Sequence, residues 1–147
     1  MRIISGKFGG RRIVVPKNLP IRPTTNLAKE SIFNIITNKS DLKNLKIADT
    51  FSGSGLIGLE FISRGADVIF VEKNIKCFKH IVKTLKLLGL NNKVFKSDVF
   101  KYLQTSEQKF DYIFADPPYK FSYEQYLQLI KLIVNNNLRT DGLLIIE

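Results

Sequence analysis

The sequence has one cysteine, Cys77, and one histidine, His80, close together in KCFKHIVK. A single thiol excludes an internal disulfide, and this pair supplies no ligand set for a structural metal, so none is expected. The surrounding residues read as an ordinary amphipathic helix. Long hydrophobic runs are missing too. No stretch approaches the roughly 20 apolar residues needed to cross a bilayer, and the opening MRIISGKFGG has no apolar segment of signal-peptide length. A cytoplasmic location is the expectation. Internal repeats and low-complexity tracts are absent.

Acidic residues are scarce at the front of the chain. Residues 1 to 46 hold Glu30 and Asp41 against Arg2, Lys7, Arg11, Arg12, Lys17, Arg22, Lys29, Lys39, Lys43 and Lys46, so most of the formal net charge of +10 sits there. Lysine excess alone would fit compositional drift, but drift accounts poorly for the arginines. Concentrated positive charge is the footprint of a polyanion partner, because each neutralised phosphate releases condensed counterions.

At 147 residues and 44% hydrophobic content the chain suits one domain with a single core. After residue 45, short runs rich in Ile, Val and Phe (KIADTF, DVIFVE, KVFKSD, DYIFADPP, GLLIIE) alternate with segments of helical period (SGLIGLEFISR, NIKCFKHIVKTLKLLGL, SYEQYLQLIKLIVNN), with SDVFKYLQ as a shorter helical turn. This alternation predicts parallel strands buried on both faces, right-handed crossovers and a doubly wound α/β sheet. Residues 1 to 46 read as an extension of that domain: two short β runs around a glycine-rich turn, a short stiff linker in KNLPIRPTT, and a lid-like helix over NLAKESIFNII with Thr25 or Asn26 as its cap.

Ligands of such sheets bind at the carboxyl ends of strands, where the motifs fall. After the first strand, Gly53, Gly55 and Gly58 make G-x-G-x-x-G, which lets backbone and a helix N-terminus approach a ligand. The loop alone fits a dinucleotide or a structural turn equally well. Asp49 beside it favours a cofactor with an ammonium end. Glu72 closes the second strand, where a carboxylate can take a ribose diol or sit at a helix start. Asp98 after the third strand suits an adenine amine or a helix cap, with Val99 or Phe100 against the ring. The fourth strand ends in DPPY, Asp116 to Tyr119. An exocyclic amine is a poor nucleophile while its lone pair is delocalised, and hydrogen bonds to the Asp116 carboxylate and the Pro117 carbonyl favour a pyramidal nitrogen. Pro117 and Pro118 stiffen the corner, and Tyr119 is placed to stack on a base, worth roughly 1–3 kcal/mol. A plain strand-to-loop turn is the alternative.

RPTTNLAKESIFNII at 22 to 36, IADTFSGSGLIGLEFISRGA at 47 to 66, VEKN at 71 to 74, SDVFKYL at 97 to 103 and DPPY at 116 to 119 resemble the bacterial 16S ribosomal RNA guanine-N2 methyltransferase family, small-subunit methyltransferase D. The resemblance runs from IISGKFGGRRI to GLLIIE; the GRR, RPTT and DPPY order is its most specific part. It implies a Rossmann-like, S-adenosylmethionine-dependent enzyme, a monomer, acting on a guanine of 16S rRNA within the small subunit or its assembly intermediate. By that similarity Asp49, Phe51, Ser52, Gly53, Ser54 and Gly55 would hold the methionine end, Glu72 and Lys73 the ribose, and Asp98 and Val99 the adenine. Asp116, Pro117, Pro118 and Tyr119 would hold the flipped guanine, while Arg2, Lys7, Arg11, Arg12, Arg22, Thr24 and Thr25 would meet RNA.

The sequence departs from the family pattern at Asn26 and Lys29, where aspartate and arginine are usual, and at FSGSG in place of FAGSG. It also ends at Glu147, before the hairpin that completes the family's sheet, so a truncated frame with an open strand edge is expected. Adenine N6 in DNA, a protein glutamine, a nicotinamide-dependent oxidation and a non-catalytic RNA-binding module are the competing functions.

Overall fold

The computed structural model describes residues 1–21 and 25–147. Five strands, β1 (Lys46–Thr50), β2 (Asp67–Val71), β3 (Val94–Phe95), β4 (Phe110–Ala115) and β5 (Leu138–Ile146), pair in parallel in the order β3-β2-β1-β4-β5. The helices are α1 (Asn26–Lys39), α2 (Leu56–Ser63), α3 (Ile75–Leu87), α4 (Val99–Thr105) and α5 (Tyr123–Leu132), the last followed by a π-helical turn over Ile133–Asn137. The doubly wound sheet anticipated from the alternation is present, with every core element in its expected place.

Period-2 alternation within the strands shows why apolar runs were needed. In β1, β2 and β4, Ile47, Val68, Phe70, Tyr112 and Phe114 face a core shared with α1, α2 and α3. Ala48, Ile69, Val71, Ile113 and Ala115 face a second core with α4 and α5. Burial on both faces thus holds for these strands, as in other parallel sheets. It does not extend to the edges. β3 is two half-buried residues, and much of β5 is half-buried or exposed. The β4–β5 register also shifts between Phe110 and Tyr112. Gly142 lies in the bulged part of β5, where a Cβ would come within 2.8 Å of the Asp111 carbonyl oxygen.

The N-terminal arm departs from the two expected β runs. Its strands reduce to one antiparallel bridge, Arg2 to Arg12, with the Ile3 N–H donating to Arg11 O (3.0 Å) and the Ile13 N–H to Met1 O (2.8 Å). Between them the Gly10 N–H donates to Ile3 O (2.8 Å), while three other residues bond to α2. The Ile4 N–H donates to Glu60 Oε1 (2.8 Å), the Lys7 N–H to Ser63 O (2.7 Å) and the Phe8 N–H to Ser63 Oγ (2.9 Å). Gly6, at φ +83°, passes so close that a Cβ would lie 2.0 Å from Ser63 O.

α1 begins at Thr25, whose Oγ1 accepts the Ala28 N–H (3.1 Å), as the capping preference predicts. It packs into the core through Phe33, edge-on to Phe61 at 4.7 Å. None of its residues lines the cleft described below. KNLPIRPTT is more than a linker over its described part: Leu19 is buried and Pro20 and Ile21 form cleft wall.

Candidate active site

The sheet order reverses between β1 and β4. β1 leads outward through α2 to β2 and β3, and the chain then returns to place β4 on the other side of β1. A crevice opens at such a switch point, outside the carboxyl ends of the strands. Here it is a cleft of 820 Å³ with Asp49, Glu72, Asp98 and Asp116 in its wall, one acid at or after each of the strands β1 to β4. That volume is within the range of small-molecule sites.

Asp49 lies deepest of these acids in the fold. It is fully buried, and the Gly58 N–H donates to its Oδ2 at 2.9 Å. Burial pushes its pKa up from 3.8 to about 8; the Gly58 hydrogen bond opposes the shift, and Glu72 and Asp116 add to it through like-charge repulsion. A buried carboxyl held neutral by desolvation and neighbouring carboxylates is a site prepared for a cation.

Gly58 must be glycine here, because a Cβ would lie 2.2 Å from Phe70 Cε1 and 2.9 Å from Asp49 Oδ2. The glycine loop turns through left-handed Phe51, Gly53 and Gly55, at φ +57°, +54° and +76°. Phe51 is the costly member, since a side chain opposes that conformation. Its ring meets Phe121 edge-on at 5.7 Å. Ser52 Oγ donates to Asp49 O (2.6 Å) and accepts from the Val71 N–H (3.1 Å), tying the loop to the ends of β1 and β2.

For Glu72, the role at a helix start is the one seen. Its Oε2 accepts the Gly53 N–H (2.7 Å) and its Oε1 the Asn74 N–H (2.6 Å), so it braces the loop and the start of α3. Each oxygen retains a second lone pair, enough for a diol at the cleft wall. For Asp98, the capping role is the one seen. Its Oδ1 accepts from Phe100 and Lys101 N–H at the start of α4, and its Oδ2 lies 3.5 Å from Lys73 Nζ. Val99 is buried and lines the cleft, as do Ser54 and Lys73.

At the end of β4, Asp116 is half-buried, Pro117 buried and Pro118 exposed. Tyr119 is 77% exposed, a ring accessible to a base at the cleft's lip. The DPPY corner and the glycine loop therefore face one crevice, which their separation of some sixty residues in sequence left open.

The arm residues Arg2, Lys7, Arg11 and Arg12 are all exposed, with Lys7 Nζ 5.5 Å from the centre of the Phe8 ring. Arg22 and Thr24 lie outside the described residues.

Sequence reasoning passed over Phe121 and noted Lys29 only as a departure from the family pattern. Phe121 gathers Phe51, Phe100 and Tyr126 around it within 5.8 Å and lines the cleft. A lone apolar residue in the polar stretch YKFSYEQ was the available signal. Lys29 is fully buried, with its Nζ 3.0 Å from Arg2 O and 3.5 Å from Glu60 Oε1; Glu60, also fully buried, pairs with Arg64 at 2.5 Å. Its role is to tie the arm and α1 to α2.

The donor set fits S-adenosylmethionine. Buried Asp49 suits an ammonium, Glu72 a diol, and the gathered carboxylates would repel the pyrophosphate of a dinucleotide. The family described as "Conserved hypothetical protein 95" matches residues 1–147. The chain is 35% identical to "Ribosomal RNA small subunit methyltransferase D" of Buchnera aphidicola subsp. Baizongia pistaciae, over 100% of this chain and 75% of that protein. The solved structure of yhhF from Escherichia coli superposes with a TM-score of 0.86 at 27% identity, covering 99% of this chain and 78% of that one. An S-adenosylmethionine-dependent methyltransferase from Clostridium acetobutylicum shares the fold at a TM-score of 0.68 and 17% identity, over 83% and 50% of the two chains. The chain belongs to the Conserved hypothetical protein 95 family, which it shares with relatives named small-subunit ribosomal RNA methyltransferase D.

Proposed function

We propose that the protein methylates the exocyclic N2 of a guanine in 16S rRNA, within the small ribosomal subunit or an assembly intermediate. The observation that carries this reading is the convergence of Asp49 and Asp116 on one cleft at the β1–β4 switch point, with Asp116 close enough to raise the Asp49 pKa. One carboxylate suits the ammonium of a methyl donor and the other the amine of an acceptor. S-adenosylmethionine supplies an electrophilic methyl group on a sulfonium.

Asp49, Phe51 and the Ser52–Gly55 loop bind the donor's amino-acid end, Glu72 with Lys73 its ribose, and Asp98 with Val99 its adenine. The Asp116 carboxylate and Pro117 carbonyl accept the two amine N–H groups and turn the nitrogen lone pair toward the donor. Tyr119 stacks on the base, which has to leave its own stack to enter the crevice. The amine becomes acidic once methylated, and its proton passes to Asp116 or water. Arg2, Lys7, Arg11, Arg12 and Arg22, with Thr24 and Thr25, meet the RNA backbone.

The test is incubation with labelled S-adenosylmethionine and undermethylated 30S particles, followed by digestion of the RNA. N2-methylguanosine is expected, with Asp116→Ala lowering the rate at least 100-fold while leaving donor affinity within a few-fold. N6-methyladenosine from duplex DNA, or a methylated glutamine from release factor, would replace the proposed target. A cellular role preserved in Asp116→Ala would remove catalysis altogether.

A further inference from the structure

The charge count placed the basic surface in the first 46 residues, but folding creates another. α3 carries Lys76, Lys79, Lys83 and Lys86, all exposed, and no acidic residue. At the helical repeat they occupy an arc of about 80°, opposite the buried Cys77, Ile81, Thr84 and Leu85. Successive pairs are three or four residues apart, the spacing at which like charges each cost roughly 0.2–0.5 kcal/mol. Among the described residues none of the four is paired with a carboxylate. The helix thus keeps a self-repelling stripe that an alternating-charge face would avoid.

Its position gives the stripe a use. The start of α3 borders the cleft, with Asn74, Ile75 and Cys77 in the wall and Lys73 and Lys96 at the rim. From Lys76 to Lys86 the row runs away from the mouth for about 15 Å, at 1.5 Å per residue. In a duplex one strand carries a phosphate about every 3.4 Å of axis, so a row of that length can meet several.

We propose that the lysine face of α3 is a second phosphate track, which holds the RNA backbone flanking the nucleotide delivered to the DPPY corner. It rests on the rRNA-substrate reading above and deepens it. The arm supplies one basic surface, and α3 supplies another that begins at the opening of the cleft.

The experiment replaces all four with glutamine (Lys76→Gln, Lys79→Gln, Lys83→Gln, Lys86→Gln) and measures binding to a naked RNA duplex and to 30S particles from 50 to 200 mM salt. S-adenosylhomocysteine calorimetry reports the integrity of the cofactor site. The expected result is a log–log salt slope smaller by about 2–4 and at least tenfold weaker binding to both RNAs, with cofactor affinity within twofold. A Lys79→Gln/Lys83→Gln pair, expected to give about half the slope change, keeps the test open should the quadruple variant unfold. An unchanged slope with intact cofactor binding overturns the track, even where the parent protein methylates RNA. Weaker binding to particles alone overturns it in favour of a protein contact. A reduced slope on a protein that transfers no methyl to RNA supports the track and rejects the proposed reaction.

Discussion

Asp49 leads to a measurable proton. With its pKa pushed up to about 8 in the free protein, the carboxyl is largely protonated at pH 6.5. A ligand ammonium seated against it reverses the balance of desolvation and charge pairing, so binding ionises Asp49 and expels its proton. Calorimetric titration with S-adenosylhomocysteine in two buffers of different ionisation enthalpy should show release of about one proton at pH 6.5, falling to about 0.5 near pH 8. By linkage, affinity should rise nearly tenfold per pH unit between pH 6 and 7.5.

The stability of the free protein moves the other way. The unfolded carboxyl ionises near 3.8, so the folded form loses stability as pH rises from there to about 8 and is level above it. Asp49→Asn keeps an acceptor for the Gly58 N–H and removes the charge. It should raise the melting temperature of the free protein at pH 8, leave it nearly unchanged at pH 4, abolish the proton release, and weaken binding by about 2–5 kcal/mol as the loss of a buried charge partner. Binding with no proton release at pH 6.5, or with uptake, would refute this account of the cleft.

Two further variants test the scaffold. Glu60→Ala leaves the buried Lys29 ammonium without its carboxylate and frees the Ile4 N–H. It should cost about 3–5 kcal/mol, a fall of roughly 10 °C or more in Tm. Thermal melts should show part of that recovered in the Lys29→Met/Glu60→Gln pair. Gly58→Ala drives a methyl into the Phe70 ring and the Asp49 carboxylate; about 1–3 kcal/mol of destabilisation is expected from overpacking, together with weakened S-adenosylhomocysteine binding in the same calorimetric assay.

The sequence by itself determined the element order, the parallel pairing and the strand-end positions of Asp49, Glu72, Asp98 and Asp116. Each follows from local patterns: runs such as DVIFV are short enough for strands and apolar enough for burial on both faces, and acids or glycines follow them directly. Thr25 and Asn74 were readable as helix starts for the same local reason. Only the tertiary structure decided which of these ends share a crevice, because the switch point depends on strand order and not on spacing along the chain. Tertiary packing alone raised Asp49's pKa, since desolvation depends on what covers a residue. It also limited the expected hairpin to one bridge, where the Ile4, Lys7 and Phe8 N–H groups donate to Glu60 and Ser63 on α2 rather than across a ladder. The α3 stripe lay in plain view as four lysines, but its placement beside the cleft required the helix to be docked on the sheet, where long-range packing rather than local propensity orients it.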